Sequence, residues 1–160
     1  MSRSLTVSWD DPQAMHDAGA KLSGIDYMHA LMAGRIPPPP IMRLLDFRFA
    51  KVEDGLVAFE CEPGEQHYNP IGVVHAGLAL TLLDSAMGCC VHTRLPPDKS
   101  YTTLEVKVNL VRSITAQTGT IRATARVIHF GAKTATAEAR LEDAKGKLYA
   151  HGSSTCIVFG

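Results

Sequence analysis

The stretch HAGLALTLLDSAMGCCVH, residues 75–92, decides how the rest of the chain must be arranged. Its run of Leu and Ala reads as a helix buried on most of its faces. At about 100° per residue, Gly77, Thr81, Asp84, Ser85, Gly88 and His92 fall in one arc about 100° wide, and apart from His75 everything else is apolar. A solvated stripe normally carries Lys, Glu or Arg. Small residues, hydroxyls and one carboxylate suit the close approach of a backbone or a ligand instead. Two readings of Asp84 stay open here: wet and inert, or partly desolvated in a cleft.

A helix this oily needs a wrapping, and the flanking sequence supplies one. Beyond Pro96-Pro97 the period changes from about 3.6 to 2. Leu104, Val106, Val108 and Leu110 alternate with Thr103, Glu105, Lys107 and Asn109, and Ile121 to Val127 alternate in the same way. Ala135, Ala137, Ala139 and Leu141 mark a third strand, and Leu148, Ala150, Gly152, Cys156 and Val158 a fourth, with small inward side chains that let a helix lie close. Upstream, Ile41–Val52 and Leu56–Cys61 read as two strands joined by the turn Glu53-Asp54-Gly55. Before them, one amphipathic helix runs from Asp10 or Asp11 and Pro12 to Gly34, followed by an extended proline run at 37–40. The expected fold is therefore α+β: an antiparallel sheet of about six strands curled around a central apolar helix, with an additional N-terminal helix. Residues 1–40 form a helix and proline connector packed on the domain proper, 41–160.

The chain has 160 residues, 16 basic and 16 acidic, and is 46% hydrophobic. That suits one domain with a sizeable core and excludes a disordered tail. A net charge of zero argues against a nucleic-acid or anionic-membrane partner. The longest greasy run carries Asp84, so no membrane span is expected. Four cysteines without CxxC spacing read as free thiols of a reducing compartment, which places the protein in the cytoplasm. Seven histidines form no metal-ligand grouping, and no metal or cofactor is expected.

A partly desolvated Asp84 can act as nucleophile or as general base on a water. The segment Asn69-Pro70-Ile71-Gly72-Val73-Val74-His75-Ala76-Gly77 enters the helix, so the N–H groups near Ala76 and Gly77 are free donors at a positive helix end, suited to a thioester oxyanion. Nine helical residues separate His75 from Asp84, two and a half turns or about 13 Å along the axis. They cannot serve one centre within one chain. A site using both must be shared between the subunits of a dimer.

The motif Asn69-Pro-x-Gly-x-Val-His-Ala-Gly followed by Asp84 resembles the signature of hot-dog-fold acyl-CoA thioesterases of the phenylacetyl-CoA and 4-hydroxybenzoyl-CoA thioesterase type, over roughly Ile41 to the C-terminus. The resemblance implies hydrolysis of aromatic or short- to medium-chain acyl-CoA by a homodimer, within a homotetramer. Asp84 would be nucleophile or general base, the Ala76 N–H the oxyanion donor, and Asn69 would position thioester or water. His75 would orient the loop or lie near the sulfur, with Thr102 or Thr103 helping to place the water. CoA would lie over the loop after the third strand and the turn between the fourth and fifth, making Arg112, Ser113, His129, Gly131 and Lys133 its contacts. The family usually has Gly-Gly after the histidine. Ala76 keeps the N–H but resists positive φ, so it fits if that position is simply the first helical turn. Leu45, Phe47, Phe59, Met87 and first-helix side chains would set the acyl pocket, with Trp9 at its edge. Two alternatives are a hot-dog enoyl-CoA hydratase or dehydratase, and a non-catalytic acyl-CoA binding module.

Overall fold

The apolar stretch forms a single helix, Ala76–His92, in a computed structural model that describes residues 2–160. In chain order it is α4. Before it come α1 (Pro12–Gly19), α2 (Gly24–Met32), α3 (Pro40–Leu44), β1 (Phe47–Glu53) and β2 (Leu56–Cys61). After it come β3 (Ser100–Leu110), β4 (Ile121–Phe130), β5 (Thr134–Asp143) and β6 (Leu148–Phe159). The six strands make one antiparallel sheet in the order β1-β2-β4-β5-β6-β3. The helix lies across it, packed mainly on β4 and β5.

Close packing follows from side-chain size. Leu82, Leu83, Met87 and Val91 are fully buried, each stabilising the fold by roughly 1.5–3 kcal/mol. They meet Ala123, Ala125, Ala135, Ala137, Ala139 and Ala150, whose methyls let the helix sit low on the sheet. The expected α+β wrapping is what the structure has.

The N-terminal region departs from expectation in two places. The one helix expected over 12–34 is two, because Ser23 serves better as a cap than as a mid-helix residue: its side chain accepts from the Asp26 N–H and starts α2. Likewise, the strand expected from Ile41 starts at Phe47. Pro40 opens the short helix α3 at a position where its missing N–H costs nothing, and Asp46, at φ 50°, turns the chain into β1.

Helix α2 docks on the far end of α4 by backbone contact. The Gly24 N–H donates to the Leu95 carbonyl at 2.9 Å, and a Cβ on Gly24 would lie 1.7 Å from the His92 carbonyl oxygen. Gly24→Ala should therefore destabilise the protein by about 2 kcal/mol or more, since the clash is with backbone rather than a movable side chain. Urea unfolding checks this. A midpoint equal to wild type would show that α2 does not need this contact.

A third departure bears on the site. Strand β3 carries a bulge: Thr103 pairs with Cys156 and Glu105 with Thr155, leaving Leu104 as an extra residue. The alternation therefore changes phase. Thr103 turns toward α4, while Leu104 is 61% exposed and Leu110, also expected inside, is exposed too.

Candidate active site

Asp84 is half-buried, and its Oδ1 accepts a hydrogen bond from Thr103 Oγ1 at 3.2 Å. Among the described residues no cation pairs with it, and its other oxygen has no protein donor. It sits at the edge of a hollow of about 220 Å³, floored by Ser85, Gly88 and Cys89. The walls are aromatic and aliphatic: Phe47, Phe49 and Phe59, with Tyr101 from β3 and Leu31 and Met42 from the N-terminal helices. Phe59 holds the other two phenylalanines, edge-on to Phe47 at 5.3 Å and tilted on Phe49 at 4.4 Å.

Of the side chains expected to shape this cavity, Phe47 and Phe59 line it and Leu45 and Met87 do not. Met87 is wholly enclosed in the core. Trp9 belongs to a separate surface hollow, beside Leu5 and Arg43. Thr102 is exposed, and the bulge puts Thr103 against the carboxylate in its place. Helical spacing gives no signal for Phe49, Met42 or Tyr101, because they come from other elements.

The second set of residues lies at the opposite end of the helix. The Asn69 side-chain oxygen accepts from the N–H groups of Ile71 and Val73 at 3.1 and 3.3 Å. The Gly72 N–H returns to the Asn69 carbonyl at 3.1 Å, and Gly72 takes φ 82°, a conformation suited to glycine. His75 is the helix cap: its Nδ1 accepts from the Gly77 N–H at 2.8 Å. This corrects the expectation that Gly77 offers a free donor. Its amide is spent on the imidazole, and glycine is needed because a Cβ would lie 2.9 Å from that nitrogen. The bond requires an unprotonated Nδ1, so the neutral ring carries its proton on Nε2. The Ala76 N–H has no acceptor among the described residues. Ala76 is the first helical residue and is not among the positive-φ positions, so alanine is unstrained there.

A hollow of about 300 Å³ brings Asn69, His75 and Ala76 together with Leu110, Arg112 and Ser113. His129, Gly131 and Lys133 are elsewhere. Arg112 lies at the start of β6, where its N–H reaches the Tyr149 carbonyl, whereas the Lys133 carbonyl accepts from Val158 near the end of that strand. Nine residues of β-strand span roughly 30 Å. Within one chain, then, the five expected CoA contacts do not form one site. The Lys133 group shares its end of the sheet with Thr103 and Asp84, and the Arg112 group shares the other with Ala76.

The thiols near the cavity are poor nucleophiles. Burial, with the Asp84 charge beside it, pushes Cys89 up to about 12, and burial pushes Cys61 up to about 11. All four cysteines are free. His92, on the same helix, is pushed down to about 4 by burial. Between pH 6.5 and 4 the unfolded chain takes up a proton at His92 that the folded chain refuses, so stability falls as pH drops through that window. Wild type should lose about 2 kcal/mol more than His92→Phe between pH 7 and pH 4.5 in urea titrations. Equal losses would contradict the burial of that ring.

Among the described residues no three His, Cys, Asp or Glu side chains gather as a metal site, and no helix is long and apolar enough to cross a membrane. Comparison with known proteins matches residues 71–150 to the thioesterase superfamily model. The 1,4-dihydroxy-2-naphthoyl-CoA hydrolase of Listeria monocytogenes is 27% identical over 118 residues, 74% of this chain and 94% of its own. A conserved protein of Pseudomonas aeruginosa is 27% identical with a TM-score of 0.71, covering 76% of this chain and 95% of that one. A phenylacetic acid degradation-related protein of Ralstonia eutropha is 25% identical with a TM-score of 0.74, covering 82% and 98%.

Proposed function

The chain belongs to the thioesterase superfamily, and from that premise we propose that it hydrolyses acyl-CoA thioesters of aromatic or short- to medium-chain acids, with Asp84 as the reacting carboxylate. The observation that carries this reading is a half-buried carboxylate, unpaired with any cation among the described residues and held by Thr103 at the edge of a phenylalanine-lined cavity. The relative from Listeria is named for a fused-ring aryl-CoA, and a cavity walled by Phe47, Phe49 and Phe59 suits a ring.

The Thr103 hydrogen bond fixes one oxygen of Asp84 and leaves the other for a water. As general base, that oxygen takes a proton from the water while the hydroxide forms a bond to the thioester carbon. The carbonyl oxygen gains charge and is met by the free Ala76 N–H, strengthened by the helix end. Collapse breaks the C–S bond, and the departing thiolate recovers the proton from Asp84. As nucleophile, Asp84 would instead form an anhydride that water opens; both routes need the same two groups. Neither calls on a cofactor beyond the CoA of the substrate.

One chain cannot supply both groups, because Ala76 and Asp84 lie eight residues apart on α4, about 12 Å along its axis. A dimer supplies them. β3 is an outer strand eleven residues long that carries exposed Leu104 and Leu110 and is followed by exposed Val111, which is a template for pairing with a second copy. Antiparallel pairing of two β3 strands about a two-fold axis sets the Thr103 end of one against the Leu110 end of the other. Asp84, Thr103 and Lys133 of one subunit would then face Asn69, Ala76 and Arg112 of its mate, uniting the CoA contacts that one chain holds apart.

Thiol release from a panel of aryl- and straight-chain acyl-CoA thioesters tests the activity. Turnover of at least one group is expected. Tight acyl-CoA binding without thiol release would overturn hydrolysis in favour of a binding module, and hydration of an enoyl-CoA would overturn it in favour of a hydratase.

A further inference from the structure

At one end of the cavity beside Asp84 stands Tyr101, and two further rings lie behind it. Tyr27 of α2 lies on His92 of α4 with ring centroids 5.1 Å apart, and Tyr101 of β3 meets His92 at 5.6 Å with the two ring planes perpendicular. Beyond them is a second hollow of about 230 Å³, lined by Leu22, Gly24, Tyr27, His92, Leu95 and Lys99. The two hollows share the same pair of helices. Gly88 and Leu31 border the first, while His92 and Tyr27, each four residues away and so about one turn along, border the second. Adjacent residues of β3 repeat the division, Tyr101 lining the first hollow and Ser100 the second.

On the hydrolase reading given above, we propose that Tyr101, backed by His92 and Tyr27, is the end wall of the acyl cavity and sets the length of the acyl group admitted. The wall is built in, because both tyrosines are seated over glycines. A Cβ on Gly88 would lie 2.6 Å from Tyr101 Oη, and one on Gly19 would lie 2.2 Å from Tyr27 Cε2. Gly88 belongs to the stripe of small residues on α4, and its function here is to let Tyr101 cross the helix. The His92 ring that touches both is neutral near pH 7, since burial pushes it down to about 4, so it packs against them as an uncharged plane. A cavity of about 150 Å³ is enough for a benzene ring. The 220 Å³ beside Asp84 therefore accepts a ring with a few further atoms and stops a long chain. Removing the wall would roughly double the space.

Binding and turnover together test this. The affinity of the uncleavable thioethers S-benzyl-CoA and S-dodecyl-CoA is measured calorimetrically for wild type, His92→Ala, Tyr101→Ala and His92→Phe. Rates of benzoyl-CoA and lauroyl-CoA hydrolysis are measured alongside, and thermal melts confirm that each variant is folded. Opening the wall should raise the dodecyl-to-benzyl affinity ratio at least tenfold in His92→Ala or Tyr101→Ala, because two sheltered methylenes already supply that factor. His92→Phe keeps a ring in place and should keep the wild-type ratio. An unchanged ratio in both folded alanine variants would overturn the wall, as would an equal rise in His92→Phe. If the ratio shifts as expected while wild type releases no thiol from these two substrates or from any other thioester of the panel, the wall stands and the hydrolase reading falls.

Discussion

Asp84→Asn should lower kcat for thioester hydrolysis by at least 10²-fold while leaving the fold and the affinity for an uncleavable acyl-CoA thioether within a few-fold of wild type. The substitution is close to isosteric, and an amide oxygen can still accept the bond that Thr103 gives the carboxylate at 3.2 Å. What disappears is the capacity to take a proton or to attack carbon, and a positioned base contributes typically 10²–10⁴-fold. Thr103→Val offers a graded comparison: it keeps the charge and removes its anchor, so its loss should be smaller and kcat should fall more than KM changes. Neighbouring thiols provide no substitute base, since Cys89 is held up to about 12. Retention of more than a tenth of wild-type turnover in a folded Asp84→Asn protein would remove Asp84 from the chemistry. The affinity measurement separates that result from simple failure to bind.

How far this site could be read from sequence depends on which element carries each group. The helix stripe was legible because a single carboxylate in an oily helix at 3.6 periodicity has few explanations, and the N–H groups of a helix start follow from chain direction alone. The sheet was legible for the same reason, since alternation over residues 121–127 of β4, over β5 and over most of β6 is regular. The bulge at Leu104 was not. One extra residue inverts the face of a strand without changing its composition, so alternation chose Leu104 over Thr103 and left open which threonine meets Asp84. The cap was hidden for another reason. A histidine before a helix is a weaker cap signal than Ser or Asp, and only coordinates show its ring taking the Gly77 amide. The cavity wall was least accessible: Leu31, Met42, Phe49 and Tyr101 come from four elements separated in sequence, and no local pattern brings them together.

Two inactive proteins should make an active one. Asn69→Ala removes the oxygen that holds the Ile71 and Val73 amides, so the loop leading to Ala76 loses its shape while Asp84 at the other end of the helix is untouched. Asp84→Asn does the reverse. In a mixed dimer, one of the two composite sites combines the intact Asp84 of the first variant with the intact loop of the second, and the other site carries both defects. Random exchange of equal amounts gives half mixed dimers, each with one working site of two, so activity should recover to about a quarter of wild type. The recovery should track the fraction of mixed dimers measured by native mass spectrometry and should require exchange, not mere mixing. A site confined to one chain gives a different result, because each chain then keeps its own defect and the mixture stays as inactive as its parts. Absence of recovery after confirmed exchange would therefore place Asp84 and the Ala76 amide in separate roles, which their separation of about 12 Å on one helix would then have to explain.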